Sequence, residues 1–260
     1  MKIQILSDLH LETETFEPQP APGAEVLVLA GDVDSYWDGL RRFAGWPVPV
    51  VFVPGNHEFD RRDVNEAGPK LRALCQHLGL ILLERETCVL TGRDGRRIRF
   101  VGTTRWSDFD VFGPELMPKA LRAAAYYVKV MKSTLDGQVF DASAVRALSL
   151  DCRDWLEKTL KEASSPVQPW HATVAITHYA PSLRSADPRY GSQPSTASFC
   201  NADDALLPLA DLWIHGHLHC RHDYRVDGPQ GSSARVVSNA RGHSHKGEPE
   251  GFDSLLTVEV

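Results

Sequence analysis

Eight side chains able to bind a metal ion stand in short polar clusters along the chain: Asp8, His10, Asp32, Asn56, His57, His178, His217 and His219. Carboxylate and amide oxygens mixed with imidazole nitrogens suit manganese, iron or zinc. The absence of cysteine from the set argues against a structural zinc site. Asp8 and His10 are two residues apart, as are His217 and His219, so on a strand each pair projects to one side. Gly31, Gly55 and Gly216 adjoin candidates, where a missing Cβ lets the backbone turn sharply and approach an ion closely. The candidates outnumber the ligands of one ion. They fit two ions sharing one carboxylate, with water and substrate completing each shell, and ions roughly 3.5–4 Å apart are the arrangement used for phosphoester cleavage.

Something must bring these clusters together, and the residues before them indicate what. Ile3–Leu6 precedes Asp8, Val26–Ala30 precedes Asp32, Val50–Val53 precedes Asn56, Thr173–Ile176 precedes His178, and Leu212–Ile214 precedes His217. Apolar runs this short and continuous fit strands buried on both faces. Polar clusters at the C-terminal ends of such strands are where open α/β sheets place their ligands. Helical spacing over Lys70–Leu78 closes at Gly79, and Asp94-Gly95 predicts the turn of a hairpin over Cys88–Gly102. Two further strands are expected at Ala234–Val237 and Leu255–Val258. Residues 104–165 differ: Pro118–Lys132 and Ser143–Ala163 have helical periodicity and no metal-type cluster. That stretch reads as a helical insertion between two halves of a sheet, a lid within one domain spanning 1–260.

Composition is that of a globular protein, 42% hydrophobic and 24% charged, which excludes collagen-like and disordered classes. The net charge of -6 argues against nucleic acid or an anionic membrane as the main partner. No run approaches the ~18 apolar residues of a membrane span, and Met1–Leu6 reads as a first strand rather than a signal peptide. Five scattered cysteines, odd in number and without a CxxC, suggest reduced thiols and a cytoplasmic location.

In order along the chain, Asp8-x-His10, Gly31-Asp32, Gly55-Asn56-His57-Glu58, His178 and Gly216-His217-x-His219 resemble the five blocks of the calcineurin-like metallophosphoesterases. The resemblance implies an α/β fold of the αββα type, a four-layer sandwich of two mixed β-sheets flanked by helices, with a dimetal site at one rim. It implies that Asp8, His10 and His219 hold one ion, that Asn56, His178 and His217 hold the other, and that Asp32 bridges them. His57 would face the substrate as acid or oxyanion stabiliser, while a hydroxide between the two divalent ions attacks phosphorus in line. The protein Ser/Thr phosphatases of the superfamily carry GDxxDRG in their second block; here it reads Gly31-Asp32-Val33-Asp34-Ser35-Tyr36-Trp37. That departure points to the phosphodiesterase-like bacterial branch and a small phosphorylated metabolite or nucleotide as substrate. A phosphomonoesterase, a nuclease of the same superfamily, and a catalytically silent binding protein that keeps the fold are the alternatives. The retained ligand set disfavours the silent protein, and the acidic balance disfavours the nuclease.

A single histidine or aspartate at a strand end is more often a cap or a hydrogen-bonded core residue than a ligand; the ordered set reverses that. Arg105 and Trp106, at the end of a predicted strand, are candidate substrate contacts, a guanidinium for phosphate and an indole for a base. The competing reading is a strand-end ion pair beside a core tryptophan. His215 either packs beneath the last cluster or hydrogen-bonds a ligand. His222, His243 and His245 read as solvated loop residues, although Asn239–His243 could approach the site. Asp34 and Glu58 either orient imidazoles or are surface charges. Tyr126 and Tyr127 read as a helix face, and Arg41-Arg42 and Arg61-Arg62 as solvated faces.

Overall fold

The computed structural model describes residues 1–167 and 169–260, and the side chains of Tyr127 and Gln230 lie outside what it describes. In chain order the strands and helices are β1 (Lys2–Leu6), β2 (Val26–Ala30), β3 (Val50–Val53), α1 (Val64–Leu78), β4 (Ile81–Leu82), β5 (Glu86–Thr91) and β6 (Arg97–Thr103). There follow α2 (Met117–Met131), β7 (Thr134–Leu135), β8 (Gln138–Val139), α3 (Ala142–Leu160), β9 (Ala172–Thr177), β10 (Leu212–His215), β11 (Arg221–Asp227), β12 (Ser233–Asn239) and β13 (Thr257–Glu259).

Two mixed sheets result. The first runs β13-β1-β2-β3-β4, parallel except for β13, and the second runs β11-β12-β10-β9-β6-β5, with antiparallel strands at both edges. Between the sheets, Ile3, Ile5, Val28 and Val51 of the first meet Phe100, Val174, Ile176 and Ile214 of the second. The other face of the first sheet sets Leu27, Leu29 and Phe52 against Leu71, Cys75 and Leu78 of α1. Because both faces are covered, the strands are apolar without alternation. Gln4 is the exception in β1, and its buried amide is satisfied by Gln19, Ser254 and the Ala21 N–H.

Helix α1 starts earlier than its apolar spacing predicts, because Asp63 accepts the Asn65 N–H as an N-cap, and it ends at Gly79 with φ 76°. The expected hairpin is present as β5 and β6, with Gly95 at φ 80° in its turn. Residues 104–165 divide in two. The second half of α3 lays Leu156 and Leu160 on Val101, Ala175 and Trp213, the outer face of the second sheet. Its first half joins α2 in a separate cluster around Trp106, Phe140 and Tyr179. Helical periodicity in the sequence marks that α3 has a buried stripe, but not that the stripe has two different partners.

The parallel strands β1, β2, β3, β9 and β10 end at one rim. The loops after them are stitched together by the Asp8 N–H to Gly31 O, the His10 N–H to Asp32 O and the Gly216 N–H to His178 O, at 3.0–3.1 Å. The strand order thus delivers five loops to one place.

Candidate metal centre

Asp8, His10, Asp32 and His219 offer ligand atoms that all lie within 4.8 Å of one another, and so do Asp32, His178 and His217. Asn56 joins the second group, with its Oδ1 3.2 Å from His178 Nε2. Every expected ligand therefore reaches one site. The local reason differs from the expectation of strand geometry. Asp8 and His10 lie beyond β1, and His217 and His219 beyond β10, all four in the left-handed region with φ of 53°, 48°, 72° and 50°; Asp32 has φ 51°. The tight left-handed turns, and not the strand pleat, aim these side chains inward. Gly31 must be glycine: its φ is +88°, and a Cβ there would sit 2.3 Å from His178 Nδ1.

Hydrogen bonds decide which atom of each imidazole is left for a cation. His10 Nδ1 faces Glu12 Oε1 at 3.1 Å, and His219 Nδ1 faces Glu248 Oε2 at 2.7 Å. Their Nε2 atoms then meet at 3.0 Å, and with both Nδ1 atoms donating to carboxylates, two lone pairs confront each other. His178 Nδ1 donates to Ala30 O at 2.9 Å, leaving Nε2 3.1 Å from Asp32 Oδ2. His217 gives its Nε2 proton to Ser198 O at 3.2 Å, which leaves Nδ1 for the site. Asp32 Oδ2 is buried and accepts no hydrogen bond. Opposed lone pairs beside an orphaned carboxylate oxygen, in a mixed N/O set, fit divalent cations bound between these residues.

His57 is placed differently. Its backbone N–H donates to Asp32 Oδ1 at 2.9 Å, its Nδ1 pairs with Asp60 Oδ2 at 2.7 Å, and its Nε2 stands 4.0 Å from Asp32 Oδ2. Burial alone would lower this imidazole, but the Asp32 and Asp60 carboxylates outweigh it and hold it up at about 10. His178 is likewise raised to about 9, against its burial, by the charges of Asp32 and Asp8. His57 opens into a cavity of about 200 Å³ lined also by His10, Ser35, Tyr36, Arg61 and His243.

Several expectations are corrected. Arg105 and Trp106 do not face the site. Arg105 is fully buried; its guanidinium grips Asp203 through Nε and Nη2 at 2.9 and 2.8 Å and also reaches Asp108 and Ser149, while Trp106 packs among Phe59, Phe140 and Tyr179. Removing one partner of a buried ion pair costs roughly 3–5 kcal/mol, so Arg105→Ala should lower the unfolding free energy by about that much in a denaturant titration. A folded variant with KM raised and stability unchanged would restore the substrate role. Glu58 orients no imidazole: it is fully buried and accepts the backbone N–H groups of Gly55, Asp32, Val33 and Asp34. Burial and the Asp32 charge lift it to about 7 against the pull of those donors. Asp34 accepts the N–H groups of Tyr36 and Gly39. Arg61 is exposed, as expected, and also borders the cavity, whereas Arg62 is half-buried and lies over the Trp37 ring at 4.2 Å.

His215 packs beneath the cluster as expected, held by Ser185 Oγ and Gly216 O. His243 leaves the solvated loop and lies on His10. The sequence reading missed Glu12, Asp60 and Glu248, the carboxylates behind His10, His57 and His219. Asp60 follows His57 by three residues and Glu12 follows His10 by two, a spacing that could have flagged both. Nothing near His219 in sequence points to Glu248.

A sandwich of this layering carries at its rim two N/O clusters that could each hold a divalent cation. The chain belongs to the calcineurin-like phosphoesterase family, whose model matches residues 1–221, and it is a metal-dependent phosphoesterase. Among solved structures it is similar to the phosphopantetheinyl hydrolase from Mycobacterium tuberculosis, with TM-score 0.74 and 18% identity over 98% of this chain and 94% of that one. At that identity the likeness is one of fold. A dimetal phosphatase from Danio rerio matches more loosely, with TM-score 0.41 and 13% identity over 91% and 86% of the two chains. A comparison with curated proteins finds no match. Among the described residues no helix is long and apolar enough to cross a membrane.

Proposed function

We propose that the protein is a cytoplasmic phosphodiesterase acting on a small phosphorylated metabolite or nucleotide. In this reading Asp8, His10 and His219 hold one ion, Asn56, His178 and His217 hold the other, and Asp32 is shared. The donor chemistry suits manganese, iron or zinc. When bound, the ions supply Lewis acidity toward the phosphoryl oxygens and a nucleophile at neutral pH. The protein's own residues do the rest. Asp60 orients His57 through Nδ1, and His57 Nε2 hands its proton to the departing alkoxide. Arg61 offers a guanidinium to substrate anions at the cavity mouth. Residues 104–165 wall the site indirectly, since α2 packs on the turn Pro194–Ser198, whose last carbonyl holds His217. The five cysteines are free thiols, which supports a reducing compartment.

The observation that carries the reading is the His57–Asp60 pair opening onto a cavity of about 200 Å³. A space of that size suits a small substrate, and an alkoxide leaving from a phosphate ester requires a proton, which His57 can supply. The test is turnover by metal-loaded protein across monoesters, small diesters, cyclic nucleotides and oligonucleotides. Highest kcat/KM on small diesters is expected; higher values on monoesters or oligonucleotides would replace this reading with a phosphatase or a nuclease.

A further inference from the structure

Besides the imidazoles at the metal cluster, the cavity at His57 is lined by Ser35, Tyr36 and Arg61. The turn that carries Tyr36 is held at every residue. The Ser35 N–H donates to Glu12 Oε2 at 3.1 Å, the Tyr36 N–H to Asp34 Oδ1 at 2.7 Å and the Trp37 N–H to Asp34 O at 3.0 Å. Ser35 O accepts from Arg62 Nη1 at 2.6 Å, and the Trp37 indole N–H donates to Glu58 O at 2.8 Å. Glu12 faces His10 Nδ1 through its other oxygen, so one carboxylate fixes this turn and a candidate metal ligand together. Trp37 keeps φ at 73°, a left-handed conformation rare for a bulky residue, which the surrounding bonds maintain.

The Tyr36 side chain is the part of this turn left without protein partners. It is 58% exposed, and among the described residues its hydroxyl makes no hydrogen bond and its ring meets no other ring or cation. Of the exposed tyrosines Tyr36, Tyr126 and Tyr190, Tyr36 is the one that lines this cavity. A tyrosine ring on a fixed backbone offers a flat face at small conformational cost, and every nucleobase has a π-face to lay on it. His57 lines the same cavity, so a substituent that enters it lies where the His57 proton is delivered. That substituent is the leaving group.

We propose that Tyr36 determines specificity by stacking on the flat heteroaromatic ring of a nucleoside leaving group. The inference rests on the role given to His57 above and selects the nucleotide from the two substrate classes named there. Arg61, whose backbone N–H is pinned to Met131 O at 2.8 Å, supplies positive charge in the same cavity for the phosphate attached to that nucleoside. In the reaction, water adds to phosphorus and the bond from phosphorus to the sugar oxygen breaks. That oxygen takes the His57 proton, and the nucleoside departs as its alcohol.

The test compares esters that share the bond to be broken and differ only in the base. One pair is the methyl phosphodiesters of adenosine and of ribose at the 5′ oxygen; the other is adenosine 5′-phosphate and ribose 5-phosphate. Release of the 5′ alcohol is followed with metal-loaded wild type, Tyr36→Ala and Tyr36→Phe, and circular dichroism checks folding. The wild type should favour the base-bearing member by about tenfold or more in kcat/KM, chiefly through KM. Tyr36→Ala should bring that ratio close to one, and Tyr36→Phe, which keeps the ring, should preserve it. A structural role would lower both members of a pair together and leave the ratio as it was. An unchanged ratio in Tyr36→Ala, or no preference for the base in the wild type, would overturn the proposal. Turnover of the monoester pair alone would remove the phosphodiesterase reading, and Tyr36 would be judged on that pair. Turnover of neither pair by protein that cleaves bis(p-nitrophenyl) phosphate would overturn the proposal and leave the phosphodiesterase reading in place.

Discussion

Asp32→Asn should yield a folded protein that holds neither ion tightly and has lost on the order of 10³-fold or more of its phosphoesterase rate. Among the described residues Asp32 is the one carboxylate within reach of both clusters; its Oδ2 lies 3.1 Å from His178 Nε2 and its Oδ1 accepts the His57 backbone N–H. The substitution also strips His57 and His178 of the carboxylate that raises both imidazoles, so the metal-free variant should unfold at a lower temperature than the metal-free wild type near neutral pH. What disappears is the response to metal. An ion at a hundred times its dissociation constant stabilises by about 2.7 kcal/mol, which in a chain of this size raises Tm by several degrees. Elemental analysis and thermal unfolding with and without Mn²⁺ check both halves. Two ions retained in Asp32→Asn would remove Asp32 from the shared position.

His57→Ala should separate proton transfer from metal binding. The His57 hydrogen bond to Asp32 comes from its backbone N–H, which alanine keeps, and its ring meets His10 edge-on at 5.1 Å, so the variant should keep its metal while kcat falls by about 10²–10⁴ on an ester with an alkoxide leaving group. With p-nitrophenolate, which leaves without a proton, the loss should be much smaller. The pH profile supplies the sign. A raised pKa means that His57 is protonated, and able to donate, below its pKa and loses that ability as pH rises through it. Without an ion that point is about 10; a bound cation, by repelling the imidazolium, moves it down. The wild type should therefore show an alkaline limb below pH 10 that His57→Ala lacks. Asp60→Asn should shift that limb to lower pH, because it removes one of the two carboxylates holding the proton. Equal losses on good and poor leaving groups would assign His57 to stabilising the phosphoryl oxygens instead.

The site was legible in the sequence to the extent that its parts sit next to strands. Asp8, Asp32, Asn56, His178 and His217 each follow a strand buried on both faces, and such strands announce themselves as unbroken apolar runs. Arg105 shows where that logic fails. A polar residue after a strand looks the same whether it meets substrate or a buried acid, and the acid, Asp203, lies 98 residues away. Glu248 was illegible for a related reason: it reaches the site because the loop after β12 is pinned to Ser7 and Asp8, which no local pattern encodes. Strand β11, Arg221–Asp227, escaped notice because an edge strand facing water alternates charges with few apolar residues. Glu58 was misjudged because a carboxylate that binds only backbone N–H groups leaves no signature in neighbouring side chains.

The left-handed conformations of Asp8, His10, Asp32, His217 and His219 also bear on how such a chain would change once its chemistry was no longer needed. At the three histidines each costs up to about 1–2 kcal/mol relative to an ordinary backbone conformation, and glycine or asparagine there would relieve part of it; the two aspartates, whose carboxylates accept the His217 and His57 N–H groups, cost less. For a lineage released from catalysis, drift at the three histidines runs downhill: losing a ligand there makes the fold sturdier. Descendants that keep the sandwich but discard the reaction should be recognisable by glycine and asparagine at these positions, and should melt at higher temperature than the metal-free form of this protein. The histidines at 10, 217 and 219, each in its unfavourable turn, are the residues such a lineage would surrender first.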